Sequence, residues 1–279
     1  MHTNEITHDT FIPRWFGRLG NNIQQISNGI YFCEKNGIHF TSPDQPMIKA
    51  IDINFGPNEF KISPTSHNWF YFFEGPDCDF VVDTNDLNKN RKRISEEYIL
   101  PNLKVNHSNV NDPLPDDVLV IHIRSGDVYS PNTHPAYVQN PLAFYLELFN
   151  RFNGKVIFMA EDDKNPIVQY FAHQLKADIR IHWLADTYEM LLRAKNLATS
   201  GIGTFALGAA FCSKNLRNLY ATNLYAENAL NPSMLKEQLN VYSMDINDNK
   251  YIKVGAWQPT PDNIKKVLEY SDNISFRRL

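Results

Sequence analysis

Val118-Leu119-Val120-Ile121-His122-Ile123-Arg124-Ser125-Gly126-Asp127 says more about the fold than any other stretch of the chain. Residues 118–123 are apolar and β-branched apart from His122, which predicts a strand buried on both faces. Alternation along that strand puts His122 and Arg124 on one face, and Gly126 permits a sharp turn directly afterwards. Three polar groups, from His122, Arg124 and Asp127, are thereby expected together at the carboxyl end of a buried strand. Arg124 offers a planar fork of donors suited to a diphosphate, and it keeps its charge when desolvated. Asp127 is placed to orient either neighbour. An ion pair that merely closes a strand end would show the same residues, but burying this much polarity without use is costly, which favours a ligand site.

Downstream, strands and helices alternate. Pro141 opens a helix with Leu142, Phe144, Tyr145 and Leu148 on its apolar side. Residues 156–160 predict a second strand, which ends in the acidic turn Glu161-Asp162-Asp163. A helix over about 166–176, a strand over 179–183, a helix over 187–195, a strand over 197–199 and a helix over 203–211 follow. This order predicts a parallel sheet covered on both sides, with ligand groups at the strand ends. Asp186 precedes the helix at 187, where it serves equally as a cap or a ligand.

Upstream, Ile23, Ile26, Ile30 and Tyr31 share one face of a helix over 21–36, preceded by the loop Gly17-Arg18-Leu19-Gly20. Residues 102–117 are polar, Asn-rich and broken by two prolines, the composition of a hinge. With 279 residues the chain exceeds what one core usually holds, so two domains, 1–112 and 113–279, are expected. No internal repeat is evident.

The net charge of −4 gives no global basic field for nucleic acid or an anionic membrane. The one basic run, Lys89-Asn90-Arg91-Lys92-Arg93, lacks interleaved aromatics and reads as a solvated helix start or loop. Cys33, Cys78 and Cys212 show no paired spacing of a zinc site or disulfide framework, which fits a reducing, cytoplasmic setting. Neither a signal peptide nor an apolar run of bilayer length is expected. The patterns of a P-loop and of a Gly-x-Gly-x-x-Gly dinucleotide site are missing.

His122-Ile-Arg124 followed by Gly126-Asp127 resembles the His-x-Arg motif shared by the α1,2-, α1,6- and protein O-fucosyltransferases, the α1,2 branch most of all. Gly17-Arg18-Leu19-Gly20-Asn21-Asn22 is similar to their Asn-bearing glycine loop, with Asn22 in place of a glutamine. Ser200-Gly201-Ile202-Gly203-Thr204-Phe205 is similar to the loop that cradles donor phosphates, and Glu161-Asp162-Asp163 resembles their acidic turn. Ser125 departs from the pattern, since many relatives carry a second arginine there.

The resemblance implies a GT-B-like α/β fold of two facing Rossmann-like domains. It also implies an inverting, metal-independent transferase that moves fucose from GDP-fucose to a glycan hydroxyl, with no cofactor. Arg124 would grip the diphosphate, joined in the donor site by His122, Gly20, Asn22, Asp162, Asp163, Asp186, Ser200, Gly203, Thr204 and Phe205. Proton removal from the acceptor would fall to Asp127 or to a water held by Asn21 or Asn22. The loop 128–140, with His134, Tyr137 and Gln139 inside it, takes no role from the resemblance and is expected on its own residues to contact the acceptor. Two alternatives stand beside this: another nucleotide sugar on the same scaffold, and a non-catalytic nucleotide- or glycan-binding protein.

Overall fold

Residues 12, 15–58, 83–272 and 274–279 are described in this computed structural model. Helix α1 (Leu19–Asn36) buries Leu19, Ile23, Ile26 and Ile30. It ends at Gly37, whose φ of 62° lets the Ile38 N–H bond back to the Cys33 carbonyl at 3.0 Å. An antiparallel pair follows, β1 (His39–Ser42) and β2 (Ile51–Asn54). Helix α2 (Thr84–Ile94) is capped by the Asp83 carboxylate, which accepts from the N–H groups of Asn85 and Asp86, and the short α3 (His107–Val110) comes next.

From there strands and helices alternate: β3 (Val118–Ile123), α4 (Leu142–Arg151), β4 (Lys155–Ala160), α5 (Pro166–His173), β5 (Asp178–Ile181), α6 (Leu184–Arg193), β6 (Asn196–Ala198) and α7 (Phe205–Cys212). Strands β7 (Asn218–Thr222) and β8 (Asn240–Met244), helix α8 (Pro261–Glu269) and strand β9 (Phe276–Arg278) complete the chain. The sheet order is β5-β4-β3-β6-β7-β8-β9, parallel throughout except for β9. The chain builds outward through β4 and β5, then returns to the other side of β3 with β6. The topological switch point therefore lies between the carboxyl ends of β3 and β6.

Alternation along β3 divides the core into two layers. Val118 and Val120 face the cluster that contains α1, α6 and α7, while Leu119, Ile121 and Ile123 face that of α4 and α5. The first cluster runs without a break from Ile23 and Ile26 of α1 through Leu207 into Val120 and Leu197 of the sheet. Among the described residues, the first 112 contribute helices and one antiparallel pair of strands, with no parallel sheet of their own. Residues 59–82 lie outside the described set.

The segment 102–117 is tied down rather than free. Leu103 and Val110 are buried, the Leu114 N–H bonds the Arg193 carbonyl at 3.0 Å, and Arg193 Nε donates to the Asp112 carbonyl at 2.8 Å. The basic run also differs from expectation. It forms the second half of α2, where buried Arg91 donates to Ser27 Oγ, and Lys92 donates to the Ser213 carbonyl at the end of α7. Burial pushes the Arg91 guanidinium down to about 9. Helix α6 begins at Leu184 rather than 187, so Asp186 falls in its first turn and not before it.

The amino ends of the strands carry a repeat that the sequence reading passes over. Asn196, Asn218 and Asn240 begin β6, β7 and β8, and stand 22 residues apart. Asn218 Nδ2 donates to Asn196 Oδ1 at 2.7 Å, and Asn240 Nδ2 donates to Asn218 Oδ1 at 2.9 Å. Asn196 Nδ2 in turn donates to the carbonyls of Asp116 and Val118. This amide ladder locks the register of three strands. Cys33 and Cys212 are buried and free, with burial pushing the Cys212 thiol up to about 12; Cys78 lies outside the described residues. No helix among the described residues is long and apolar enough to cross a membrane.

Candidate functional site

Some of the residues singled out from the sequence, His122, Arg124, Asp127, Ser200, Thr204 and Asn21 among them, lie together at the switch point. His122, on the α7 side of β3, is 7% exposed, and its Nδ1 lies 3.1 Å from Ser200 Oγ beyond the end of β6. Its ring also packs against Phe205 at 5.1 Å between centroids. Burial, and then the Arg124 charge, push the His122 imidazole down to about 3, so it is neutral at physiological pH. Its Nδ1 contact and ring packing hold it against the 200–205 loop.

Arg124 extends from the same strand across the mouth of that loop. Its Nη1 donates to the Ile202 carbonyl at 3.3 Å, and its Nη2 lies 3.4 and 3.5 Å from the two Asp127 oxygens. The guanidinium sits 4.0 Å from the ring centroid of Tyr137, a cation–π contact. Each of these polar contacts is longer than the 2.7–2.9 Å of a strong charge-assisted bond. The fork is oriented but not saturated. A Cβ on Gly203 would come within 3.2 Å of Arg124 Nη1, so the glycine keeps room for it.

The turn after β3 is braced from below. Gly126 takes a φ of 65°, where other residues would be strained, and its N–H donates to Asp162 at 3.1 Å. Ser125 Oγ donates to the same carboxylate and accepts from the Asn165 N–H at 3.0 Å, while Asn165 Nδ2 donates to the Arg124 carbonyl at 2.8 Å. Burial raises the Asp162 carboxyl, but the bonds from Ser125, Lys164 and Gly126 outweigh that and hold it below the ordinary carboxylate range. Asp162, expected in the donor site, is thus engaged in fixing the turn that presents Arg124.

The N-terminal loop enters from the opposite side. Thr204 Oγ1 donates to Asn21 Oδ1 at 2.6 Å. A Cβ on Gly20 would lie 2.3 Å from the Thr204 carbonyl carbon, so α1 and the loop before α7 approach as closely as backbones allow. Because the Thr204 hydroxyl turns to Asn21, it does not cap α7, whose first N–H groups lack an intrahelical partner. Arg18 reaches the same place, 3.4 Å from Asp127 and 3.8 Å from Glu161. Sequence reasoning missed Arg18 and Glu161 as site residues. The signal available for both was their position inside stretches already singled out.

Other expected residues lie elsewhere or face inward. Asn22 is buried, and its amide donates to the Phe16 carbonyl at 3.1 Å, which holds the loop together instead of facing a ligand. Gln139 is 1% exposed and donates to the Tyr137 carbonyl at 2.7 Å, so it presents no surface to an acceptor. Tyr137 turns to Arg124, with exposed His134 packed beside it at 5.3 Å. The 128–140 loop is fixed from below by Trp257 Nε1 to the Val128 carbonyl and by the Tyr251 hydroxyl to the Gln139 carbonyl, both 2.8 Å. Asp163 and Asp186 are exposed, the first after the end of β4 and the second in the first turn of α6. Two surface cavities of about 380 and 420 Å³, lined by residues such as Lys250 and Lys265 or Asn88 and Met234, include none of these groups.

Fold and site together define an α/β protein with a mostly parallel seven-stranded sheet and a polar cluster at its switch point. No family model and no curated protein matches the chain. Among solved structures, the glycosyl transferase family 9 protein from Veillonella parvula DSM 2008 aligns at 12% identity and a TM-score of 0.34, over 59% of this chain and 51% of that one. The chain thus spans about half the length of that protein. A likeness at this depth transfers neither an activity nor a residue role.

Proposed function

We propose that the chain is a glycosyltransferase that moves a sugar, fucose by the resemblance of its motifs, from a nucleoside-diphosphate donor to a glycan hydroxyl. The observation that carries this reading is the unsaturated Arg124 fork at the switch point, beside the uncapped amino end of α7. A diphosphate there would gain a bidentate partner and unpaired N–H donors at the positive end of a helix dipole. As the bond to the sugar breaks, negative charge grows on the leaving diphosphate, and both groups are aimed at it.

The pattern's second arginine is replaced by Ser125, which turns to Asp162; Arg18 brings a second guanidinium to Asp127 from the N-terminal loop. Asp127 is the carboxylate shared by both arginines. A bound diphosphate would draw the two guanidinium groups to itself and leave Asp127 to accept the proton of the acceptor hydroxyl, whose oxygen bonds to the anomeric carbon as the bond from that carbon to the diphosphate oxygen breaks, with inversion.

The reading is tested by thermal unfolding with GDP, UDP and CMP, each with and without EDTA. GDP is expected to raise the midpoint irrespective of EDTA, with about 2.7 kcal/mol of stabilisation at a hundredfold excess over its Kd. Stabilisation by UDP alone moves the donor to another nucleotide sugar. No response to any nucleotide overturns the donor site.

A further inference from the structure

We propose that Trp183, flanked by Ile181 and Leu184, is the stacking platform for the nucleobase of the donor; this rests on reading the strand ends as a nucleotide-sugar site. β5 ends at Ile181 and α6 starts at Leu184, with Trp183 as the residue before the helix. Trp183 is 86% exposed, Ile181 52% and Leu184 50%. An indole left in water beside two aliphatic side chains is apolar surface that the fold itself does not use.

Position identifies the occupant. Trp183 stands at the carboxyl edge of the sheet that carries Arg124, with β5 next to β4 and β4 next to β3. Two strand spacings make a lateral gap of about 10 Å, which a ribose and base extending from a diphosphate at Arg124 would cross. Between the two lie Glu161 and Asp163, exposed carboxylates at the end of β4 that can accept from ribose hydroxyls. No side chain caps α6, so its first N–H groups are open to a carbonyl on the base edge, and Asp186 in the same turn can accept from a base N–H. The acidic surroundings of Glu161, Asp163 and Asp186 suit a base with N–H donors and disfavour an anionic membrane as the cover of this patch.

The test measures binding of GDP, UDP and inorganic pyrophosphate by calorimetry and by tryptophan fluorescence, on the parent protein, Trp183→Ala and Trp183→Phe. At 86% exposure the substitutions leave the fold intact, which circular dichroism verifies. Trp183→Ala should weaken the tighter nucleotide about tenfold, the scale of one base–aromatic stack, and leave pyrophosphate affinity unchanged. Trp183→Phe should restore most of the loss. In the parent, the nucleotide should quench fluorescence where pyrophosphate does not. Nucleotide affinity unchanged in Trp183→Ala overturns the platform and leaves the donor site standing; equal weakening of pyrophosphate makes the role structural and also overturns it. A parent that binds neither nucleotide nor pyrophosphate overturns both the platform and the reading beneath it.

Discussion

The two ends of the parallel strands are built on different terms. At the amino ends, Asn196, Asn218 and Asn240 bond one another at 2.7 and 2.9 Å, and Lys195 pairs with Asp116. Polar groups there are satisfied by near neighbours. At the carboxyl ends of β3 and β6, Arg124 is held by contacts of 3.3 to 3.5 Å, α7 is uncapped, Gly203 leaves room beside the guanidinium, and Gly20 lets α1 pack directly against the Thr204 backbone. The contrast separates polarity used for register from polarity kept for a ligand. A saturated network has nothing left to offer, whereas oriented donors with long contacts can exchange them for a better anion.

Arg124→Ala is the most severe way to test that contrast. Nucleotide affinity should fall at least about tenfold, and turnover about a hundredfold or more, because charge on the diphosphate peaks in the transition state. Arg124→Lys should recover only part, since an ammonium lacks the planar fork. If a folded Arg124→Ala protein binds nucleotide as tightly as the parent, Arg124 only closes the strand end, and the two ends of the sheet are alike.

Acid should act on the carboxyl end through His122. Its folded-state value of about 3 lies below the ordinary value of 6.5, so the unfolded chain takes up a proton first as pH falls. The stability contributed by the neutral imidazole is present above pH 6.5 and is lost as pH drops from there toward 3. Between pH 7 and pH 5 the loss should be about 2 kcal/mol. His122→Gln should show a flatter dependence in urea titrations at the two pH values; equal slopes for both proteins would mean that His122 is open to water.

The mildest change sharpens the comparison from the other end. Asn218→Ala leaves Asn196 Oδ1 and Asn240 Nδ2 without their ladder partner, at about 1 kcal/mol in unfolding free energy. Nucleotide affinity should not move. A parallel loss of affinity would show that the two ends are coupled through strand register.

Much of this architecture was legible in local pattern. The buried strand appears over residues 118–123 as expected, Pro141 precedes α4, the acidic and threonine loops follow β4 and β6, and the glycine loop leads into α1. Side-chain direction was less legible. Asn22 and Gln139 are polar residues in suggestive loops, yet each is buried against a carbonyl of its own loop, Phe16 and Tyr137 respectively. Strands β7, β8 and β9, each at most five residues, were not read from the pattern, although the equally short β5 and β6 were.

Sequence alone determined that a strand buried on both faces would end in an arginine and a glycine turn, because periodicity and backbone freedom are local properties. Only tertiary structure decided which groups share that end. Chain order does not reveal that β6 returns beside β3, so that Ser200 meets His122 and Ile202 meets Arg124. Nor does it reveal that α1 crosses before α7 closely enough for Asn21 to draw off the Thr204 hydroxyl, and for Arg18 to reach Asp127. Those meetings depend on strand order and helix packing, which are set by burial of the whole core and not by any single stretch.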